Sequence, residues 1–412
     1  MTPPTVPAGP RRAAIAFIFI TVVLDVLAMG IIIPVLPKLV EAFLGGDTAR
    51  AARMFGAFGT VWALMQFICS PVIGSLSDMF GRRRVILLSN FGLGLDYVLM
   101  ALAPSLSWLF VGRVISGITG ASWTTAGAYI ADVSTPEKRA QSYGILGAAF
   151  GLGFVLGPAL GGLLGGINPR LPFWTAAGMT LLNAMYGVFV LPESLPPALR
   201  RPFSWARANP FGSLRLLRSN HELWGLATVS ILYWVSHQVL QSVFVLYASY
   251  RYSWSQQTVG LTLAAVGVGS MIVQGGLVRP IVKALGERRT LILGLTSFSL
   301  CMLCWGLAPT GSWFWAAIPL GSLGGLYGPS SQGLMTRRVG PSEYGQLQGA
   351  NSSIMGIGGL LGPGLFTTTF AIFIGSRREW HLPGAPFLLA SALIALALVV
   401  AIHVTRERAA AH

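Results

Sequence analysis

Charged side chains are scarce in this sequence. Asp, Glu, Lys and Arg make up 10% of its 412 residues, and only 13 residues are acidic, whereas a typical soluble domain is roughly 25% charged. So few charges cannot cover the surface of a soluble protein of this length, and 53% of the residues are apolar. The composition therefore predicts an integral membrane protein and excludes a chain of ordinary soluble domains.

Cysteine is also rare. Cys69, Cys301 and Cys304 all lie in apolar runs, so the sequence predicts neither a disulfide framework nor a metal site. Glycine-rich runs that resemble a dinucleotide motif lie inside an apolar segment and not at a strand–helix turn, which excludes nucleotide binding there. No Ser/His/Asp set is supported, so we expect no enzyme activity, no cofactor and no bound metal.

The basic residues do not form one patch, although the formal net charge is +15. They recur in short clusters between apolar runs, as loop charges do in membrane proteins, so a nucleic-acid partner is not expected. A helix needs roughly 20 apolar residues to cross about 30 Å of hydrocarbon. This length predicts twelve spans, at residues 13–36, 54–76, 85–104, 107–130, 140–166, 171–191, 223–248, 257–279, 290–309, 313–335, 344–374 and 384–404.

Alternate loops differ in their basic residues. The termini and one set of loops hold most of them, and Arg113 lies within a span. The positive-inside rule places that richer side, and with it both termini, in the cytoplasm. The other set of loops holds only Lys38, Arg50, Arg53, Arg170, Arg251, Arg377 and Arg378.

Residue patterns of the first half of the chain recur in the second half at one constant spacing along the sequence. Gly81 and Gly286 are separated by this spacing, which we call the repeat offset. Glycines of this kind let helix backbones approach closely, and two like six-helix bundles around a cavity are typical of alternating-access transporters. The repeated pattern consists of Gly144, Gly153, Gly157 and Pro158 in span 5, and of Gly349, Gly358, Gly362 and Pro363 in span 11. We expect an all-α membrane fold with an N-terminal bundle at 1–191, a cytoplasmic linker at 192–222 and a C-terminal bundle at 223–412.

Four segments resemble those of a known family. Residues 74–84 (GSLSDMFGRRR) resemble the loop 2–3 signature of the major facilitator superfamily, and residues 109–121 (LFVGRVISGITGA) resemble its span 4 motif. The span 5 glycine pattern resembles the motif of its antiporter branch. Residues 24–37 (LDVLAMGIIIPVLP) are similar to span 1 of its twelve-span drug/proton antiporters, and other segments look closest to the tetracycline efflux subgroup. The resemblance covers nearly the whole chain and implies proton-coupled antiport.

Three ionisable residues stand clear of the span ends: Asp25 in span 1, Asp96 in span 3 and Arg113 in span 4. Such a group costs at least about 2.5–3.5 kcal/mol at bilayer depth, so it is functional by default. Asp96 and Arg113 should lie at similar depth, where a purely structural salt bridge is the alternative. Asp25 has no charged partner in its own helix. We predict that Asp25, Asp96 and Arg113 couple transport to protons, and the resemblance implies this role for acids in spans 1 and 3.

The loop between spans 2 and 3 is predicted to form a cytoplasmic gate. Asp78 ends span 2 on the side where span 11 begins, so its carboxylate is expected near the positive end of that helix. The resemblance implies a latch that is shut when the protein opens outward; purely topogenic charge is the alternative. In the second half, Arg279 and Lys283 replace Gly74 and Asp78, which predicts a degenerate copy. Arg82 and Arg83 are expected to meet Asp132, which ends span 4. The predicted gate residues are Gly74, Asp78, Gly81, Arg82, Arg83 and Asp132.

Polar and aromatic residues near mid-depth indicate a candidate substrate site. Tyr233, His237 and Gln241 are spaced by four residues and lie on one face of span 7. This stripe either faces a wet cavity, which we favour, or forms an interhelical hydrogen-bond seam. The predicted substrate-binding residues are Gln66, Tyr233, His237, Gln238, Gln241, Gln332 and Asn351.

The leading functional hypothesis is proton-coupled efflux of an amphipathic small molecule or drug. The sequence departs from the tetracycline pumps it resembles, because Ser270 stands where that subgroup has a histidine and Phe298 where it has an acid. The alternative is a proton-coupled importer of a specific metabolite or iron chelate. A receptor would need a soluble domain and a membrane enzyme a set of catalytic residues, and the sequence predicts neither. The expected partners are a small-molecule substrate, protons and the lipid of a bacterial inner membrane. The protein is expected to be a monomer.

Overall fold

The computed structural model describes residues 11–120, 123–134, 139–205, 216–217, 221–340 and 343–406. Within these ranges the chain is helical and contains no strand. Hydrocarbon offers the backbone no water, so apolar segments satisfy their N–H and C=O groups within helices. The α-helices are α1 (Arg11–Ile32), α2 (Leu36–Phe43), α3 (Thr48–Phe80), α4 (Arg82–Leu102), α5 (Leu106–Thr119), α6 (Trp123–Val133), α7 (Arg139–Ile167), α8 (Leu171–Val190), α9 (His221–Tyr252), α10 (Gln256–Ile272), α11 (Val278–Leu307), α12 (Gly311–Ala316), α13 (Ile318–Ser322), α14 (Tyr327–Thr336), α15 (Tyr344–Ile374) and α16 (Ala385–Arg406).

The predicted membrane-spanning class is confirmed, and so is the all-α fold. Nine helical stretches of the described residues are long and apolar enough to cross a membrane. One of them, Gln256–Leu307, contains 52 residues and covers two predicted spans, between which Gly286 adopts a φ of 75°. Leu106–Thr119 is a shorter apolar helix within predicted span 4. The number of twelve spans therefore stays a prediction.

Prolines explain where two predicted spans differ from the observed helices. Pro34 follows the end of α1, and the chain turns there before it continues as α2, so the apolar stretch runs from Ile18 to Phe43. Span 10 is divided into α12, α13, a 3₁₀ turn at Leu323–Leu326 and α14. Pro319 lies in the first turn of α13, where its missing N–H group is tolerated.

Equivalent helices make equivalent contacts in the two halves. In the first half, α1 packs on α7 and α4 packs on α8; in the second half, α9 packs on α15 and α11 packs on α16. Between the halves, α3 packs on α15 and α7 packs on α10. This is the pseudo-twofold arrangement that the sequence repeat predicts. Helix α8 ends at Val190 and α9 begins at His221, on either side of the predicted linker.

The repeated glycines lie where two helices touch. A Cβ atom at Gly157 would lie 2.7 Å from the Cα of Gly30. In the second half, a Cβ atom at Gly358 would lie 2.7 Å from the Cβ of Trp234. Because no space remains for a side chain, glycine is what allows α7 to contact α1 and α15 to contact α9.

Contacts between the described residues of the two halves differ between the two ends of the bundle. We call the end that contains Lys38 the Lys38 end, and the opposite end, where α3 joins α4, the Gly81 end. Lys38 Nζ donates a hydrogen bond to Ser249 Oγ across the halves (2.9 Å). Towards the Gly81 end of the seam between α7 and α10, Cβ atoms at Gly147 or Gly275 would meet nothing within 4 Å. Over the described residues, the seam between α7 and α10 is therefore tight towards the Lys38 end, where a Cβ atom at Gly162 would lie 3.0 Å from the Cα of Gly260, and leaves open space at Gly147 and Gly275 towards the Gly81 end.

Gly157→Ala should lower the melting temperature of the purified protein, because overpacking a tight contact costs about 1–3 kcal/mol. Gly147→Ala, on the same helix, is the matched control. Its added methyl group meets open space, and alanine gains up to about 1 kcal/mol of helix propensity over glycine. Thermal unfolding in detergent measures both variants. Equal melting temperatures would contradict the close contact at Gly157.

Candidate functional site

Asp25 lies on α1 among amide side chains from two other helices. Asn183 Nδ2, on α8, donates hydrogen bonds to Asp25 Oδ1 (3.0 Å) and to the Thr21 carbonyl oxygen (3.2 Å). Asn90, on α4, is a second side-chain hydrogen-bond partner of Asp25. Both asparagines are buried, whereas Asp25 keeps part of its surface exposed. The Asp25 carboxyl group is thus held in place by a side chain from another helix.

Asp96 is almost completely buried, with 1% of its surface exposed. Within the described residues, neither carboxylate oxygen has a hydrogen-bond partner. The side chain faces α5, where a Cβ atom at Gly112 would lie 3.0 Å from Asp96 Oδ1. A buried acid without a hydrogen-bond partner costs stability.

Arg113 lies on α5 near Asp96 but does not form an ion pair with it in the described structure. Its Nη2 donates to Ser116 Oγ (2.5 Å), and its guanidinium carbon lies 5.8 Å from the centroid of the Trp62 ring. The two charges remain within electrostatic range of each other. The structural salt bridge considered from the sequence is therefore absent in this conformation.

Three polar residues of this cluster were missed at the sequence level: Asn90, Tyr97 and Asn183. Tyr97 is buried and lies within electrostatic range of Asp25, Asp96 and Arg113. The signal that could have found the asparagines is their position within apolar runs, where an amide needs a partner just as a charge does.

The predicted stripe on span 7 begins in an aromatic cluster of the second half. The rings of Tyr233 and Tyr327 are stacked with centroids 3.6 Å apart, and the Tyr327 hydroxyl donates to Ser230 Oγ (2.7 Å). The ring of His237 lies 5.8 Å from that of Tyr233. Phe298, at the position of the acid in the resembled subgroup, lies 5.5 Å from Tyr233. Stacked rings replace a charged group here.

The glutamines predicted to bind substrate divide among different environments. Gln238 packs against α15, where a Cβ atom at Gly359 would lie 3.2 Å from its Nε2. Gln241 is exposed. Gln66 lies against the end of α5, where a Cβ atom at Gly120 would lie 2.8 Å from its Nε2. The lining of a wet cavity by the stripe of Tyr233, His237 and Gln241 stays a prediction.

Gln332 and Asn351 come together as a pair. Asn351 Nδ2, on α15, donates to Gln332 Oε1, on α14 (2.8 Å). Gln332 Nε2 is buried and has no partner among the described residues. This free donor is available to a bound molecule.

The predicted gate residues meet around Arg82, at the Gly81 end. Arg82 forms ion pairs with Asp78 (2.6 Å) and with Asp132 (3.2 Å), and it donates to Ser77 Oγ (2.6 Å). Gly81 allows the sharp turn before α4, since its φ is 99°. Gly74 accepts a hydrogen bond from Ser77 through its carbonyl oxygen (2.8 Å).

Two gate contacts differ from the sequence prediction. Arg83 Nη2 donates to the carbonyl oxygen of Val188 (2.6 Å) and not to Asp132. No hydrogen bond or ion pair joins the Asp78 side chain to a described residue of α15. Asp78 pairs with Arg82 instead, one turn along the chain.

Glu193, just after α8, is a gate residue that the sequence analysis missed. Its Oε1 accepts hydrogen bonds from the backbone N–H groups of Arg82 (2.9 Å) and Arg83 (3.4 Å). An acid at the N-terminus of a helix satisfies free donors and complements the helix dipole. Glu193 also pairs with Arg200 (3.7 Å). An isolated acid directly after a span was the available signal.

The loop at Gly286 contains an ion pair that the predicted degenerate copy did not include. Arg337 Nη2, at the end of α14, lies 3.0 Å from Glu287 Oε1. Gly286 has a positive φ of 75°, like Gly81 in the first half. The second half thus keeps the geometry of the gate with different charges.

Comparison with known proteins agrees with this architecture. The family model of the Major Facilitator Superfamily matches residues 18–363 and 277–412 of this chain. The chain is 36% identical over 388 residues to the class C tetracycline resistance protein of Escherichia coli, covering 93% of this chain and 95% of that protein. It is 34% identical over 372 residues to the class G protein of Vibrio anguillarum, covering 90% and 93%.

Solved structures share the fold. The human organic anion transporter MFSD10 superposes with a TM-score of 0.71 at 24% identity, over 95% of this chain and 99% of that chain. An inward-facing, unoccupied bacterial homolog of the human lysosomal transporter Spinster superposes with a TM-score of 0.76 at 17% identity, over 97% and 98%. The matched proteins are transporters and not enzymes. From the family match and from two relatives above 30% identity, it follows that this chain belongs to the Major Facilitator Superfamily.

Proposed function

We propose that the protein is a proton-coupled antiporter that exports an amphipathic small molecule by alternating access. The observation that carries this proposal is Asp25, a partly exposed residue within a membrane-spanning helix whose carboxyl group accepts a hydrogen bond from Asn183. Relatives at 36% and 34% identity are named tetracycline resistance proteins, and this supports export over import.

The proton step is assigned to the cluster of Asp25, Asp96 and Arg113. The two carboxyl groups and the guanidinium group each lie within electrostatic range of Tyr97, and Asp96 also lies within range of Arg113. Each proton bound or released changes the net charge of a poorly solvated site, where charge differences have large energetic effects. Asp25 is the residue that exchanges the proton, because it is partly exposed while Asp96 is not.

The second half supplies the substrate surface. Tyr233, Tyr327 and Phe298 form a buried cluster of aromatic rings. Gln332 accepts a hydrogen bond from Asn351, and its own amide nitrogen has no partner among the described residues. Aromatic faces with few polar groups suit a flat, largely apolar ligand. We therefore infer a ring-bearing amphipathic substrate, of which tetracyclines are one class, bound without the histidine and the acid replaced by Ser270 and Phe298.

The Gly81 end is proposed to face the cytoplasm of a bacterial cell, with both termini on that side and with a monomer in the inner membrane. The conformation is then inward-facing. The proposed latch closes only in the outward-open state, and in that state Asp78 contacts the start of α15. Its pairing with Arg82 in this conformation fits that role.

Asp25→Asn should abolish pH-gradient-driven transport and leave the protein folded, because the amide keeps the size and hydrogen bonding of the acid but carries no exchangeable charge. The measurement is uptake of a labelled substrate, chosen by a growth screen against amphipathic drugs, into proteoliposomes with an imposed pH gradient. Reversing the gradient distinguishes an exporter from an importer.

Asp47→Asn is the matched control for this experiment. Asp47 caps α3 by accepting a hydrogen bond from the Arg50 backbone N–H (2.9 Å), and asparagine is an equally good cap. The control should transport like the native protein. Normal gradient-driven transport by Asp25→Asn would remove Asp25 from the coupling step.

Asp96→Asn and Arg113→Gln should be energetically coupled, although the side chains do not touch. Each single variant leaves one buried charge uncompensated, and the double variant leaves neither, so the double should lose less stability than the sum of the singles. A coupling of about 0.5–3 kcal/mol is typical of interacting residues. Melting temperatures of the four proteins in detergent measure the effect. Additive losses would mean that the two charges act independently.

A further inference from the structure

Charge inversion relates the two gate loops. Arg82 and Asp132 form an ion pair in the first half (3.2 Å), and Glu287 and Arg337 form one in the second half (3.0 Å). The offset that relates Gly81 to Gly286 also relates Arg82 to Glu287 and Asp132 to Arg337. Each ion pair is thus kept at the same place in the fold, and each partner has the opposite charge.

The inversion includes a third position. At the same offset, Lys283 stands at the place of Asp78. The first half therefore carries acid, base and acid, where the second carries base, acid and base. Lys283 is exposed, and no ion pair joins it to a described residue. Lys283 at the position of Asp78 is therefore one of three charge inversions and not simply a loss of the gate motif.

The seam between α3 and α15 shows which residues meet when the Gly81 end closes. The helices run antiparallel, with Gly59 against Pro363 and Phe67 against Gly356. Continued towards the Gly81 end, this register brings Asp78 beside the start of α15. The short connection that leads into α15 begins at Arg337.

The seam between α7 and α10 has the equivalent register. Val155 lies against Gly267, and a Cβ atom at Gly151 would lie 3.6 Å from Cε of Met271. Continued in the same direction, this register brings Lys283 beside the start of α7. Asp132 lies near the end of α6, just before the connection into α7.

We propose that Lys283, Glu287 and Arg337 form a second gate that pairs with the first when the Gly81 end closes. Asp78 then binds Arg337, and Asp132 binds Lys283. Because the charges are inverted, both contacts are attractive; with like triads in both halves, both would be repulsive. No existing pair has to break, since closure joins the three pairs already present into one row of alternating charge. The row is Glu287, Arg337, Asp78, Arg82, Asp132 and Lys283.

This inference rests on the alternating access of the proposed function, and its test separates the two. The native cysteines are replaced by serine, and new cysteines are placed at Gly147 and Gly275, which oppose each other across the open seam and have room for a side chain. The rate at which a flexible bifunctional thiol reagent joins them reports how often the Gly81 end closes. No substrate or proton gradient is needed.

Lys283→Glu should slow this crosslinking about fivefold, which corresponds to the loss of one exposed ion pair. Lys283→Arg keeps the charge and should crosslink at the native rate. Arg279→Glu makes the same charge change one turn earlier on the same helix, and it should have little effect because Arg279 has no place in the inverted triad. Lys283→Gln combined with Asp132→Asn should slow the reaction less than the product of the two single effects.

Three results would contradict the proposal or what it rests on. Equal rates for Lys283→Glu and Arg279→Glu would overturn the second gate alone. Multiplicative effects of Lys283→Gln and Asp132→Asn would show that these two side chains do not pair. No crosslinking in the otherwise native background would mean that this end does not close, which would overturn alternating access as well.

Discussion

Close contact between helix backbones is the constraint on which this structure depends. Lipid is as apolar as leucine, so helices within it associate through packing and not through the hydrophobic effect. Gly157 against Gly30 and Gly362 against Val235 provide that packing at equivalent places in the two halves. Once these contacts are made, the few polar side chains face the interior or the helix ends, since lipid-facing positions would leave them without partners.

The two halves share a backbone but divide the chemistry. At the repeat offset, Asp25, Asp96 and Arg113 correspond to Ser230, Cys301 and Ile318. In the second half these positions belong to packed helix contacts: Ser230 accepts a hydrogen bond from Tyr327 (2.7 Å), and the Cys301 thiol donates to the carbonyl oxygen of Ala317 (3.4 Å). The three charged groups within the predicted spans of the first half thus have uncharged counterparts at the same positions of the second half.

The sequence predicted much of the fold because composition and glycine spacing are local signals. It predicted the membrane class, the repeat and the family, and the structure brings most of the predicted gate residues together around Arg82. It could not predict that Asn183 holds Asp25, because that contact depends on how α8 packs against α1. It also missed the ion pair of Glu287 and Arg337. When the two halves are compared residue by residue, a base in place of an acid counts as a mismatch, although an ion pair with both charges inverted is still an ion pair.

Glu193 gives the linker a part in the gate. The chain leaves α8, and Glu193 caps α4 before the linker continues past Arg200, whose side chain it also binds. The backbone N–H of Arg201 donates to the carbonyl oxygen of Asp78 (3.1 Å). The first residues of the linker therefore contact the first half of the chain as far as Arg201. Two fragments divided after that point would each keep a complete gate loop, whereas a division directly after α8 would separate one gate from its own helix cap.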